Sequence, residues 1–125
     1  MAKRVRRTGL QRALEDFALS FPEAWADTPW DGDQVTKVRK KIFAFYGSAE
    51  EPGLTVKLPG SADHALSFDG AEPTGYGLGR HGWVSIPIAG VAPQDAEVLY
   101  DFVEESYRAV APNTLITQLE QQLDG

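Results

Sequence analysis

Between Thr8 and Phe21 the apolar residues Leu10, Ala13, Leu14, Phe17 and Phe21 fall three or four apart, the spacing that lines one face of an α-helix. Thr8 and Gln11 stand as in a capping box, so the helix is expected to start at Thr8, and Pro22 stops it. Residues 1–7, with Lys3-Arg4-Val5-Arg6-Arg7, read as a flexible basic arm. From Ala24 the period shortens to two. Trp25–Trp30, Val35–Arg39, Ile42–Tyr46 and Leu54–Leu58 read as strands, separated by turn signals at Asp31-Gly32-Asp33 and Glu51-Pro52-Gly53. Val35–Arg39 and Ile42–Tyr46 form a hairpin through Arg39-Lys40-Lys41, which lacks the Gly or Asn that a type I′ turn prefers.

A short helix is expected over Ala62–Ser67 with Ser61 as N-cap, then a glycine-rich loop from Asp69 to Gly82, and a last strand over Trp83–Ile86 that stops near Pro87. Pro93 opens the clearest helix, with Val98, Leu99, Phe102, Val103 and Val110 as its apolar stripe. Pro112 ends it, and residues 113–125 read as a helical tail. The order is helix, four strands, short helix, strand, long helix. With so few helical crossovers a parallel sheet is excluded. The pattern predicts an α+β domain of two layers: an antiparallel sheet of about five strands with the N- and C-terminal helices on one face.

At 125 residues the chain holds one domain. It has no cysteine, which removes disulfides, thiolate zinc sites, iron–sulfur clusters and Cys nucleophiles, and fits a cytoplasmic location. No apolar run approaches membrane-spanning length. The formal net charge of −6 is uneven. Residues 1–41 hold nine Lys and Arg against six Asp and Glu, a balance of +3, and the remainder hold three against twelve, a balance of −9.

Several fragments in order carry a resemblance: Asp27-Thr28-Pro29-Trp30, Lys41-Ile42-Phe43-Ala44-Phe45, Gly75-Tyr76 with Arg80, Trp83-Val84, and Glu105-Ser106-Tyr107. Over about Leu14 to Leu115 the chain resembles the MmcQ/YjbR family of small bacterial proteins. The resemblance implies a frataxin/CyaY-like two-layer fold, no established catalytic activity, and the label of DNA-binding. Relatives usually turn through glycine where this chain has Arg39-Lys40.

Five candidate features bear on function. Lys37, Arg39, Lys40 and Lys41, with Arg80 across the sheet, could lie along phosphates; edge hairpins also carry lysine to block strand pairing. Trp25, Trp30, Tyr76 and Trp83 with Arg80 could line a cleft for a small anionic ligand or protein partner, or could fill the core. Gly77-Leu78-Gly79-Arg80-His81-Gly82 matches G-x-G-x-x-G, but a strand follows it where dinucleotide binding needs a helix N-terminus. His64 and His81, near Asp63 and Asp69, lack metal-ligand spacing. Glu97, Asp101 and Glu105 share a helix face beside Glu104, which can pair with Arg108, and Glu15, Asp16, Glu23, Asp27, Asp31 and Asp33 surround the first helix and strand. Such acidic faces could hold a divalent cation weakly, although solvation is their commoner role. Ser85 and Ser106 have no His at motif spacing, and G-x-S-x-G is absent. The expectation is a non-enzymatic binding module without metal or cofactor, engaging DNA weakly or a protein partner, away from membranes, as a monomer or weak dimer.

Overall fold

The structure is a computed structural model. It describes residues 2–30, 33–48, 50–75 and 77–124. The Asp31-Gly32 turn and Tyr76 lie outside the described residues, as do the side chains of residues 1–8, Pro29, Trp30 and Asp33. The elements in chain order are α1 (Ala2–Leu19), β1 (Ala24–Trp30), β2 (Asp33–Val38), β3 (Lys41–Gly47), β4 (Pro52–Lys57), α2 (Ala62–Leu66), β5 (Glu72–Pro73), β6 (Trp83–Pro87), α3 (Ala96–Val110) and α4 (Asn113–Asp124). The strands form one antiparallel sheet in the order β1-β2-β3-β4-β6-β5.

The five expected strands are present, and β5 makes a sixth. It is a two-residue edge within the glycine-rich loop, too short to leave a pattern. The helix α1 starts at Ala2 and takes in residues assigned from the sequence to a basic arm. Lys and Arg are good helix formers, and once a helix is nucleated each further residue adds its own hydrogen bond. The Thr8–Gln11 pair therefore lies inside the helix rather than at its start.

Both long helices pack on one sheet face and on each other. Leu14 and Ala18 of α1 and Phe21 of the turn after it meet Leu99, Phe102, Val103 and Tyr107 of α3 over Phe43, Ala44, Tyr46, Leu54, Val56, Val84 and Ile86 of the strands. Tyr107 packs against Phe21 and Phe43 with ring centres 4.8 and 5.2 Å away, and its hydroxyl donates to the Pro22 carbonyl at 2.7 Å. Burial pushes the Tyr107 hydroxyl pKa up to about 12, so it stays a donor throughout the physiological range.

Alternation in β3 breaks at Phe43 and Ala44, which are both buried. Thr36 pairs with Ala44 but Lys37 pairs with Ile42, so Phe43 is an extra residue on β3. This β-bulge turns two consecutive side chains toward the helices. It also interrupts pairing with β4, where the ladder includes Gly47 with Pro52, Phe45 with Thr55 and Ala44 with Val56 and stops before Lys57. Ser106 of α3 fills that gap: its hydroxyl accepts the Lys57 amide at 2.9 Å and donates to the Phe43 carbonyl at 2.6 Å.

On α1, Gln11 and Glu15 are buried polar residues on a face expected to be apolar. The Gln11 side-chain amide donates to the Tyr46 carbonyl. Desolvation raises the pKa of Glu15 above its ordinary 4.5, against the opposing pull of Arg12. A carboxyl whose folded pKa is raised binds its proton more readily in the folded chain. Its favourable contribution is present below the unfolded pKa and is lost as pH rises through the raised folded value. Glu15→Gln is therefore expected to melt at a higher temperature than the parent at neutral pH, with the gap closing below about pH 4. Melting curves of both proteins across that range test it; a parent more stable at neutral pH would show that the Arg12 attraction outweighs desolvation.

Candidate functional site

The register fixes which side chains share the face turned away from α1 and α3. Trp25 stands opposite Lys37, Asp27 opposite Val35, Val35 opposite Phe45, Phe45 opposite Thr55, and Lys57 opposite Trp83. Side chains alternate along each strand, so Trp25, Asp27, Lys37, Phe45, Thr55, Lys57, Trp83 and Ser85 all lie on this second face. Two cross-strand tryptophan–lysine pairs thus occupy the same surface. Lys37 bonds Asp27 at 2.8 Å and lies 5.1 Å from the centre of the Trp25 ring. Its ammonium holds the Asp27 carboxyl below the ordinary carboxylate range. Trp83 packs edge-on against Phe45 at 5.7 Å. A chain of hydroxyls, Thr55 to Ser85 at 3.0 Å and Ser85 to Thr74 at 2.9 Å, ties β4 to β6 and to the residue after β5.

At the end of the sheet that carries the β2–β3 hairpin, a groove of about 380 Å³ is lined by Lys37, Lys40, Lys41, Ile42, Lys57 and Trp83, and closed by Ala109 and Val110 from the last turn of α3. Among the described residues no Asp or Glu lines it, and Lys40, Lys41 and Lys57 make no side-chain ion pair. Four lysines thus line one groove, and only Lys37, whose ammonium is turned to Asp27 and Trp25 of β1, is committed to a carboxylate. Their mutual repulsion is eased by the negative end of the α3 dipole.

Three of the five cations expected to meet phosphate therefore come together. Arg39 does not join them. Its guanidinium bonds Glu23 at 2.7 Å and its carbonyl accepts the Trp25 indole N–H at 2.8 Å. Arg39 and Glu23 are also the two positive-φ residues other than glycine among those described, at 57° and 60°. In the two-residue turn only Arg39 has positive φ, the sign pattern of a type II′ turn rather than I′. Arg80 sits exposed in a 3₁₀ turn over Leu78–His81, three residues before Trp83 and outside the groove lining. Lys57 is the member that local sequence reading missed. Alternation in β4 placed it on the polar face, but its neighbours are set by the β4–β6 pairing, which spans the whole α2 and glycine-loop segment.

The expected aromatic cleft is divided. Trp25 and Trp83 share a face, but β1 and β6 are four steps apart in the sheet, roughly 19 Å at the usual strand spacing. The Trp30 side chain and Tyr76 lie outside the described residues. In the glycine loop, Gly77 and Gly82 flank the 3₁₀ turn with φ of 79° and 90°, values that side chains rarely adopt. The loop folds back so that Gly82 accepts the Leu58 amide at 2.8 Å, and it leads into β6 rather than into a long helix.

Among the acidic residues, Glu105 is committed to structure: its carboxylate accepts the amides of Gly60 and Ser61 at 2.7 and 3.1 Å and the Ser61 hydroxyl at 2.6 Å. Ser61 accordingly makes no side-chain cap of α2. Glu104 pairs with Arg108 at 2.9 Å as expected, and Arg108 reaches on to Glu120 of α4 at 3.0 Å. His64 stacks on Phe68 at 5.8 Å. No three His, Asp or Glu among the described residues stand where they could hold one metal ion, and no described helix is long and apolar enough to cross a membrane.

One of the resemblance fragments, Glu105-Ser106-Tyr107, now has a physical role. Glu105, Ser106 and Tyr107 point in three directions roughly 100° apart around α3, and fasten the α2 entry, the β3–β4 gap and the turn after α1. No curated protein matches the chain. The family model described as YjbR matches residues 19–109, from the end of α1 to the last turn of α3, and the chain belongs to the YjbR family.

Proposed function

We propose that this protein is a non-enzymatic binding module that seats nucleic acid, DNA in the first instance, on the lysine groove at the hairpin end of its sheet. The observation that carries this reading is the convergence of Lys40, Lys41 and Lys57 in one groove, with neither an ion-pair partner nor an acidic lining residue among the described residues. The rest of the chain is net negative, so a polyanion is repelled from most of the surface and guided toward this end. Phosphate contacts supply most of the affinity in such a site and need no base-specific geometry.

The test is a salt titration of fluorescently labelled DNA by anisotropy. Three or four phosphate contacts predict a slope of log affinity against log salt of about −3 on duplex DNA. Absence of binding at about 50 mM salt, where phosphate contacts are strong, would reject the reading.

A further inference from the structure

We propose that the strand bound there is single-stranded, its bases stacked on Trp25 and Trp83 and its phosphates on Lys40, Lys41 and Lys57. This rests on the nucleic-acid reading and goes beyond it. The carrying observation is the repetition of one device on one sheet face: Trp25 directly across from Lys37 on β1 and β2, and Trp83 directly across from Lys57 on β6 and β4. Phosphate neutralisation needs only the lysines. An indole beside each lysine adds a flat π-surface, which is of use to a nucleic acid only where its bases are unpaired and can be splayed onto it.

Trp25 is unusual for so large an apolar group in being 43 % exposed. It is nevertheless held: its ring N–H is bonded to the Arg39 carbonyl at 2.8 Å, and the Lys37 ammonium lies against the ring at 5.1 Å. The ordering entropy of this side chain is therefore lost on folding rather than on binding, the condition for an efficient stacking platform. Arg39, at the hairpin tip, acts as its anchor. Trp83 is fixed by its edge-on contact with Phe45 and forms one wall of the lysine groove. Between the two pairs the sheet presents Ile42, across from Lys37. The separation of four strands, roughly 19 Å, matches a site on the order of four nucleotides or more.

A duplex finds less here. Duplex readout uses a helix or ribbon inserted into a groove, and the apolar faces of α1 and α3 are buried against the sheet and each other. Among the described residues the lysine groove is lined by no Arg, Asn, Gln, Asp or Glu, the side chains that read most base edges, so binding is sequence-tolerant.

The experiment compares a labelled single-stranded oligonucleotide, its duplex, and inorganic polyphosphate as competitor, using the parent protein, Trp25→Ala and Trp25→Phe. The expected result is single-strand binding about 10-fold or more tighter than duplex, poor competition by polyphosphate, loss of that preference in Trp25→Ala, and its retention in Trp25→Phe. Trp25 is exposed, so its alanine variant should keep the fold, which circular dichroism checks. Equal binding of single strand, duplex and polyphosphate would overturn the single-strand proposal and leave the phosphate groove standing. A preference for single strand that survives Trp25→Ala would overturn the stacking role. No binding of any of the three would end both readings.

Discussion

Replacing Ser106 with alanine is expected to lower the unfolding free energy by about 2–4 kcal/mol, a large share of the stability of a domain this size. The expectation follows from where the hydroxyl stands. Phe43 and Lys57 would be neighbours across β3 and β4, but the bulge at Phe43 parts them and the ladder ends at Ala44 and Val56. Ser106, fully buried, receives the Lys57 amide and gives its own proton to the Phe43 carbonyl. Alanine removes both partners at once. The N–H and the C=O remain, buried and unpaired, each costing about 1–3 kcal/mol unless the strands close on each other. Chemical unfolding gives the free energy, and hydrogen exchange at the Lys57 amide gives the location: slow in the parent, much faster in Ser106→Ala. A loss below about 0.5 kcal/mol with the amide still protected would mean that the sheet seals the gap without the serine.

This serine also links the fold to the groove. The backbone amide it holds belongs to Lys57, whose side chain lines the groove opposite Trp83. Loosening that amide lets the lysine drift, so Ser106→Ala should weaken anion binding even where the protein stays folded. The fragment Glu105-Ser106-Tyr107, prominent in the resemblance, is thus explained by assembly: each residue ties α3 to a different segment. Family membership here reports how the domain is fastened together, and the ligand must be argued from the surface.

The large-scale pattern was legible because it depends on periodicity. Leu14, Phe21, Leu99, Phe102 and Val103 fall in the core as their spacing required, and Leu54 and Val56 alternate with wetter residues in β4. What stayed hidden depends on register and on distant partners. Two residues of β5 are too few to show a period. The bulge at Phe43 leaves the composition of β3 unchanged and alters only its pairing. Gln11 and Glu15 lie on the buried side of α1 because Tyr46 offers a carbonyl there to Gln11, a fact that no local pattern carries. Arg39 looked like a free cation at a hairpin tip, yet the turn that gives it a positive φ directs its guanidinium back to Glu23. Lys57 was invisible as a member of the cationic site because it lies 16 residues from Lys41 in the chain and reaches the groove only through the order β3-β4-β6.

That late-found residue makes the second large effect testable. Reversing charge in Lys40→Glu together with Lys57→Glu is expected to weaken single-strand binding by more than about 100-fold at low salt and to flatten the salt slope of whatever binding remains by about 0.7 for each phosphate no longer neutralised. The competing explanation is that these lysines serve the fold, since Ala109 and Val110 bring the negative end of the α3 dipole to the same groove. The two explanations separate cleanly. If the lysines only neutralise the helix end, the double variant should melt earlier and the neutral pair Lys40→Gln, Lys57→Gln should melt earlier by about half as much, with no binding to lose in the parent. If they hold phosphate, the melting temperature should stay within a few degrees, as is usual for surface positions, while affinity collapses in the Glu variant and falls partially in the Gln variant. Lys57 is the sharper of the two positions, because its backbone is clamped by Ser106 and its side chain faces Trp83. A Lys57→Glu protein that binds DNA as tightly as the parent would remove the groove from consideration.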